Sequence, residues 1–515
     1  MGLKNYKIST ASDEGRKWEK EVDVVIAGYG GAGATAAIAA HDAGAKVTIV
    51  ESMADGGGNT LVSMGGFLCP TNIDDAITYI SALYDFSHSE KDEEMIRIFS
   101  EESIKNAEWI KGLKEGTKVQ IYGHAGYPQV PGSESMNKYL VKGKGKGMTI
   151  FARNLWDVLT YAVEEKRQIS VLTKTPARRL VTNSDGEVIG IVAESEGREI
   201  AIRANRAVIL TTGGYEYDRK TLQNHVKGFP ICASGNPGNT GDGIRMAQKV
   251  GAALWHMNGV SCGLGIKVPD LQAGFQAQIA APGHIIVDKN GRRFMNERGI
   301  ESHSGLLAVD HYDAHALEFP RIPCYAIFDE TARLGGPISR LTGLGAAGQK
   351  YTWSKDNSIE IEKSWIIKGS TIAELAEKLN ITAKTLEETV SRWNKDVKND
   401  KDTQFNRPMR SQGEERPAYN DFVPYALSAP IETPPFYGLE LYPCLANTQG
   451  GPRRNAAAQI MDPFGKPIPR LYSAGELGSM WGIIYQGAGN IAECLVFGQI
   501  AGKNAANEKP WTELR

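Results

Sequence analysis

Between Glu21 and Glu51 the spacing of apolar residues changes twice. An unbroken apolar run, VDVVIAG, gives way to a glycine cluster, then to an alanine-rich segment, ATAAIAAHDAG, and then to a second run, KVTIVE. Short apolar runs bounded by glycine predict buried strands, and the segment between them has helical length. The pattern therefore predicts strand, turn, helix and strand over one βαβ unit. Further on, GEVIGIVAES and REIAIRANRAVILTTGG predict a meander ending in a buried strand and a glycine turn, and GNTGDGIRMAQKVGAAL predicts a loop and an amphipathic helix. From about Lys267 the texture changes. HIIVDKNGRRFMNE predicts a hairpin turning at Lys289-Asn290-Gly291, and STIAELAEKLNITAKTLEETVSRWNKDV predicts two helices capped by Thr371 and Thr382. The proline-bearing stretch NDKDTQFNRPMRSQGEERPAY predicts a loop, and from about Pro435 strand and glycine signals return. With no tandem repeat, the chain divides into a discontinuous α/β first domain, 1–265 plus 435–515, and an inserted second domain, 266–434.

Composition narrows the partners. The chain has 515 residues, enough for two or three domains and a large buried ligand. Its 58 basic and 60 acidic residues leave a net charge of −2, which argues against a nucleic-acid or acidic-membrane partner and for a small molecule. The six cysteines have neither C-x-x-C nor framework spacing and fit reduced thiols. The polar start, MGLKNYKISTASDEGRKWEKE, lacks the apolar core of a secretory signal, and no window of about twenty residues is apolar enough to span a membrane. The expected location is the cytoplasm, and no metal-ligand cluster is expected.

Gly28-Tyr29-Gly30-Gly31-Ala32-Gly33 is G-x-G-x-x-G placed between the first strand and the helix. Glycines there permit a tight turn and let backbone N–H groups and a helix start face a pyrophosphate. Glu51 ends the second strand, where a carboxylate can accept from ribose hydroxyls, with Ser52 beside it. FAD and NAD(P) share this unit. The run GGGNTLVSMGG (Gly56 to Gly66) favours FAD, because small residues admit a flat ligand to the backbone. Its candidate contacts are Gly58, Asn59, Thr60, Ser63, Gly65 and Gly66; a flexible surface loop is the other reading. TTGGY adds Thr212, Gly213 and Gly214, and LYSAGE adds Glu476.

Together with GDG around Asp242, NGRRFMNE, TQGG at Thr448 to Gly451 and the final GAGN, these motifs resemble the flavoprotein family of soluble fumarate reductases, urocanate reductases and 3-ketosteroid dehydrogenases. The resemblance covers nearly the whole chain. It implies a Rossmann-like FAD-binding domain of the GR2 type, with FAD held noncovalently and extended, and an α+β cap inserted over the flavin. No histidine between Glu51 and Pro70 is available for the covalent link of respiratory relatives. The resemblance assigns Gly489, Asn490 and Ile491 to a helix start facing the flavin, and leaves the electron donor or acceptor undefined.

The substrate end departs from the fumarate reductases. Where they carry a carboxylate-gripping arginine this chain has Gln486; their histidine corresponds to Asn447 and their arginine proton donor to Glu301. Neutral and acidic residues would not compensate two buried negative charges. Tyr485-Gln486-Gly487-Ala488-Gly489 is instead similar to the 3-ketosteroid dehydrogenase loop, in which the tyrosine hydroxyl and last glycine N–H bind a ketone. Tyr485 and Gly489 are thus the expected oxyanion donors, unless Tyr485 only packs under the cap. The implied reaction is hydride transfer between flavin N5 and the carbon β to a carbonyl, with proton exchange at the α carbon. Glu301, with pKa raised by apolar surroundings, and His303 are the proton-transfer candidates; the alternative is a solvated acid in NERGIESHSG. Tyr325 reads as a further acid or as core, and Arg453 and Arg454 as carboxylate ligands or surface charges. Tyr122, His124 and Tyr127 read as a possible lid. The expected function is FAD-dependent reduction or formation of a C=C bond conjugated to a carbonyl, favouring a 3-ketosteroid-like enone. The alternatives are a small unsaturated acid of the urocanate, cinnamate or fumarate kind, or a flavin electron-transfer subunit.

Overall fold

The structure is a computed structural model describing residues 16–143, 148–267, 271, 273–277, 279, 281–338, 351, 353–409 and 428–511. The polar start up to position 15 and the predicted loop from 410 onward lie outside the described residues.

The first strand, Lys20–Ala27, sits at the centre of an eight-stranded sheet, between parallel partners Val47–Val50 and Arg198–Leu210. Ser170–Leu172 extends the sheet beyond Val47–Val50, and Pro467–Ser473 extends it beyond Arg198–Leu210. Coverage on both faces is why the central strands read as continuous apolar runs rather than alternating ones. Ala177–Thr182 and Val188–Ser195 form the predicted meander, antiparallel to the start of Arg198–Leu210.

The first helix, Gly31–Asp42, is buried from Gly31 through Ala40. Its partner is the last helix, Gly489–Asn507, which lies against it. Small residues permit that approach: Gly498 sits over Thr35 and the Ala32 carbonyl, and a Cβ on Gly502 would overlap the Ala36 carbonyl. This contact draws together two glycine-rich loops more than four hundred positions apart, so both helix starts reach one region of the molecule.

A second sheet is organised around Phe436–Thr448. The first half of this strand is antiparallel to Cys324–Asp329 and Ile366–Gly369, and its second half is antiparallel to Val260–Ile266. One continuous strand therefore connects the inserted region to the FAD-side residues Asn447 and Thr448. Helices Ile372–Lys378 and Ala383–Lys398 cover its insert end, packing Leu375, Leu386 and Trp393 with Ile285 and Ile327. Thr371 caps the first, accepting from Glu374 N at 3.0 Å; Thr382 stands at the second N-cap without a side-chain bond. The predicted hairpin at Lys289-Asn290-Gly291 shrinks to a turn with a single bridge, Val287 to Arg293. His284–Val287 pairs instead with Cys324–Asp329, because Arg293 turns inward to Glu297 and Asp402. Among the described residues no helix is long and apolar enough to cross a membrane, and no cluster of metal-ligating side chains occurs.

Candidate active site

A cavity of about 1310 Å³ runs from the first glycine loop to the inserted region. It exceeds the ~300–1,000 Å³ of a typical single-ligand site and has room for a cofactor and a reactant. At its first end Gly28 adopts φ +106°, where a Cβ would overlap the Thr211 carbonyl. Only glycine takes that turn without strain. Gly31 N–H donates to Thr60 Oγ1 at 3.0 Å and Gly57 N–H to the Tyr29 carbonyl at 2.7 Å, tying the two glycine runs together. The buried Glu51 carboxylate accepts from Tyr29 N (2.7 Å), Met53 N (2.7 Å) and Ser52 Oγ (3.1 Å), and is fixed at the strand end.

Gly28, Gly30, Gly31, Ala32, Glu51 and Ser52 line this end; Gly58, Asn59, Thr60, Ser63 and Gly66 line its wall. Across from them stand Thr212, Gly213, Asp242, Glu476, Asn490 and Ile491. Thr212 Oγ1 is buried against Gly243 with no hydrogen-bond partner among the described residues. A cavity of this volume, with a helix start at Gly31 and the acid Glu51 among its lining, fits FAD. Gly33, Gly65, Gly214 and Gly489 do not line it. Gly33 packs against the Gly28 carbonyl, joining helix to strand, and Gly214 is wedged among Thr448, Glu216 and Glu476.

At the other end Tyr122, Lys138, Glu301, His303 and Tyr485 line the same cavity. Tyr485 is buried, with its ring edge-on to His303 at 5.1 Å and to Trp481 at 5.8 Å. Its hydroxyl accepts from Asn490 N at 3.1 Å, and burial pushes its pKa well above the usual phenol range, so it stays a neutral donor. The expected second donor is displaced: Gly489 N–H donates to the Gln486 carbonyl at 2.9 Å and the residue packs on Trp481. The loop's αL turn at Ala488 (φ 73°) directs that amide into the loop.

Glu301 is buried rather than solvated, and its ionisation corrects the sequence expectation. Burial alone pushes its carboxyl up, but His303 and Lys138 outweigh this and hold it below the usual carboxylate range. Glu301 Oε2 accepts from His303 N at 2.7 Å, and Oε1 lies 2.9 Å from His303 Nδ1. The carboxyl thus favours its ionised form and is held in a fixed orientation by His303.

Gln486 faces away from the cavity. Its Oε1 accepts from the Tyr79 hydroxyl and from Gly126 N (2.8 Å), and its Nε2 donates to the Gly487 carbonyl at 2.7 Å. Arg454 is no substrate ligand either: fully buried, it pairs with Glu493 and donates to the Gly475 and Leu477 carbonyls. Arg453 pairs with Glu90 at 2.6 Å, outside the cavity. Tyr325 is core on its strand. His124 bonds Asn137 at 2.7 Å, and Tyr127 bonds Ser304 at 2.6 Å, fastening the 119–127 segment beside the Tyr485 loop. Two groups escaped the sequence reading: Lys138, which no local pattern marks, and Glu216, an acid directly after the TTGGY turn.

Residues 23–491 match the family model described as FAD binding domain. The chain is 28% identical over 504 residues to urocanate reductase of Eggerthella lenta, covering 94% of this chain and 75% of that protein. It is 26% identical over 493 residues to probable fumarate reductase Ifc3 of Shewanella frigidimarina, covering 94% and 74%. In fold it is similar to 3-ketosteroid delta1-dehydrogenase from Sterolibacterium denitrificans (TM-score 0.79, 22% identity), covering 95% of this chain and 99% of that one.

Proposed function

The chain belongs to the FAD binding domain family and is an FAD-dependent oxidoreductase of CH–CH groups; from that premise we propose that its substrate carries a C=C bond conjugated to a neutral carbonyl, a cyclic 3-ketosteroid-like ketone being favoured. FAD, when bound, supplies the hydride donor or acceptor. Tyr485 donates to the carbonyl oxygen, where negative charge grows during enolisation. In desaturation the Glu301 carboxylate takes the α proton as a base, with His303 holding it in place and Lys138 favouring its ionised form; in reduction the same carboxyl, having picked up a proton from solvent, returns it to the α carbon.

The observation that carries this reading is the placement of Gln486. At the position of the acid-binding arginine it spends both ends of its amide on Tyr79, Gly126 and Gly487, while Tyr485 lines the cavity. A second reading, an unsaturated acid as in the urocanate and fumarate reductases, draws support from Lys138 and Arg298, which also line the cavity. Anaerobic reoxidation of the reduced holoprotein separates the two. Faster flavin-absorbance recovery with a 3-keto-4-ene steroid than with urocanate or fumarate supports the first reading. Recovery only with the acids overturns it, and recovery with none, despite rapid oxidation by dyes, leaves an electron-transfer subunit.

A further inference from the structure

Beside the FAD cradle two buried glutamates face each other. Glu476 ends the segment LYSAGE and lines the cavity; Glu216 stands behind it, after the glycine turn Gly213-Gly214. The same two amides bridge them. Asn59 Nδ2 donates to Glu216 Oε1 at 2.7 Å and to Glu476 Oε2 at 2.8 Å; Asn239 Nδ2 donates to the same oxygens at 3.0 and 3.3 Å. Glu476 Oε1 accepts from Thr448 N at 3.1 Å. Glu216 Oε2 has no partner among the described residues. A Cβ on Gly214 would overlap both that oxygen and Glu476 Oε1, so these two oxygens crowd one small space.

Two adjacent buried carboxylates cannot both ionise without strong repulsion, and an orphaned buried oxygen leaves a lone pair unsatisfied. A single proton resolves both. The geometry points to Glu216 as a positioning residue that shares one proton with Glu476, so that Glu476 meets the cofactor as half of a singly charged pair and FAD is held more tightly while that proton is present. Burial, chiefly, moves Glu216 up to about 7, and burial with the neighbouring charge raises Glu476 well above the usual range. The titratable groups that sense the pair, Tyr215 and Tyr217 on its own segment and Cys494 on the last helix, are themselves pushed up by burial and stay neutral.

This inference rests on the FAD reading of the cavity. FAD release from the holoprotein on dilution, followed by free-flavin fluorescence on both sides of pH 7, tests it. The dissociation constant of the wild type should rise as pH passes through 7, by about tenfold per pH unit at most for one linked proton. Glu216→Gln, which keeps a neutral donor beside Glu476, should bind FAD with a flat profile. Infrared spectra of the holoprotein provide a readout independent of release: one carboxylic-acid carbonyl band should titrate near pH 7 and be absent in Glu216→Gln. A wild type without that band, or a variant with the wild-type pH slope, overturns the inference. A wild type that holds no FAD at any pH fails the cofactor assignment instead.

Discussion

Glu301 at the substrate end and the Glu216–Glu476 pair beside the cofactor cradle are equally removed from water but take opposite charge states. Glu301 has a histidine at 2.9 Å and a lysine on the same cavity wall, and its carboxyl is held low. The pair has amides and a second carboxylate for neighbours, and both carboxyls are held high. Burial penalises charge in both places; the neighbouring charges decide whether that penalty is overcome. One cavity can thereby hold a lone carboxyl ionised at one end while a carboxyl pair beside the other end favours keeping a proton.

The largest expected effect comes from removing the ionised side. Glu301→Gln should lower turnover by ~10²–10⁴-fold, the usual contribution of a positioned acid–base group, while flavin absorbance stays unchanged. A loss below a few-fold would return Glu301 to a structural role. Tyr485→Phe should follow, at ~2.7–4 kcal/mol of lost transition-state stabilisation if its hydroxyl meets the growing oxyanion. The loss should appear in kcat more than in KM, because the interaction strengthens during the reaction.

On the other side of the comparison the effect falls on stability. A carboxyl whose folded pKa is raised favours folding below its unfolded value near 4.5, and that advantage disappears as pH rises through about 7. Glu216→Gln removes one of the two charges that would accumulate there. Its unfolding free energy, matched to the wild type near pH 5, should exceed it by on the order of 1–3 kcal/mol above pH 7 in denaturant titrations. Parallel pH curves for the two proteins would mean the pair does not share a proton in the folded state.

The glycine loop, its strand and helix, and FAD as the cofactor were legible in the sequence, and the protonation of these carboxyls was not. Gly28 and Gly31 have to be small because the backbone itself meets Thr211 and Thr60, so the requirement is written locally as glycine. The strand, helix and strand around them, and the terminal acid Glu51, follow from the period of the apolar residues. Side chains that converge from separate segments leave no such mark. Glu216 is buried beside Glu476, 260 positions later in the chain, only once the chain has folded, and Arg454 reads as a carboxylate ligand or a surface charge until Glu493 and two carbonyls enclose it. The Gly489 amide was misjudged because its direction depends on the αL turn at Ala488, which alanine does not advertise. The strand Phe436–Thr448 joins one sheet across the boundary at 435, a continuity that apolar periodicity cannot reveal.

The smallest expected effect is the most direct test of what separates the two sites. Lys138→Met removes a positive charge beside Glu301 and leaves His303 in place. Lys138 itself is held below its usual value, by burial first, with Glu301 acting in the opposite direction, so each charge supports the other. Without the lysine, burial acts on Glu301 with less opposition and its carboxyl must move up, toward the state of the Glu216–Glu476 pair. With the carboxylate as the proposed base, the acid limb of the kcat profile for desaturation should shift to higher pH, with turnover at neutral pH reduced only several-fold. A loss that is uniform across pH would instead mean that Lys138 contacts the substrate, and a steroid-against-acid comparison in this variant would show which, since a lysine that grips a carboxylate should lose affinity only for the acid.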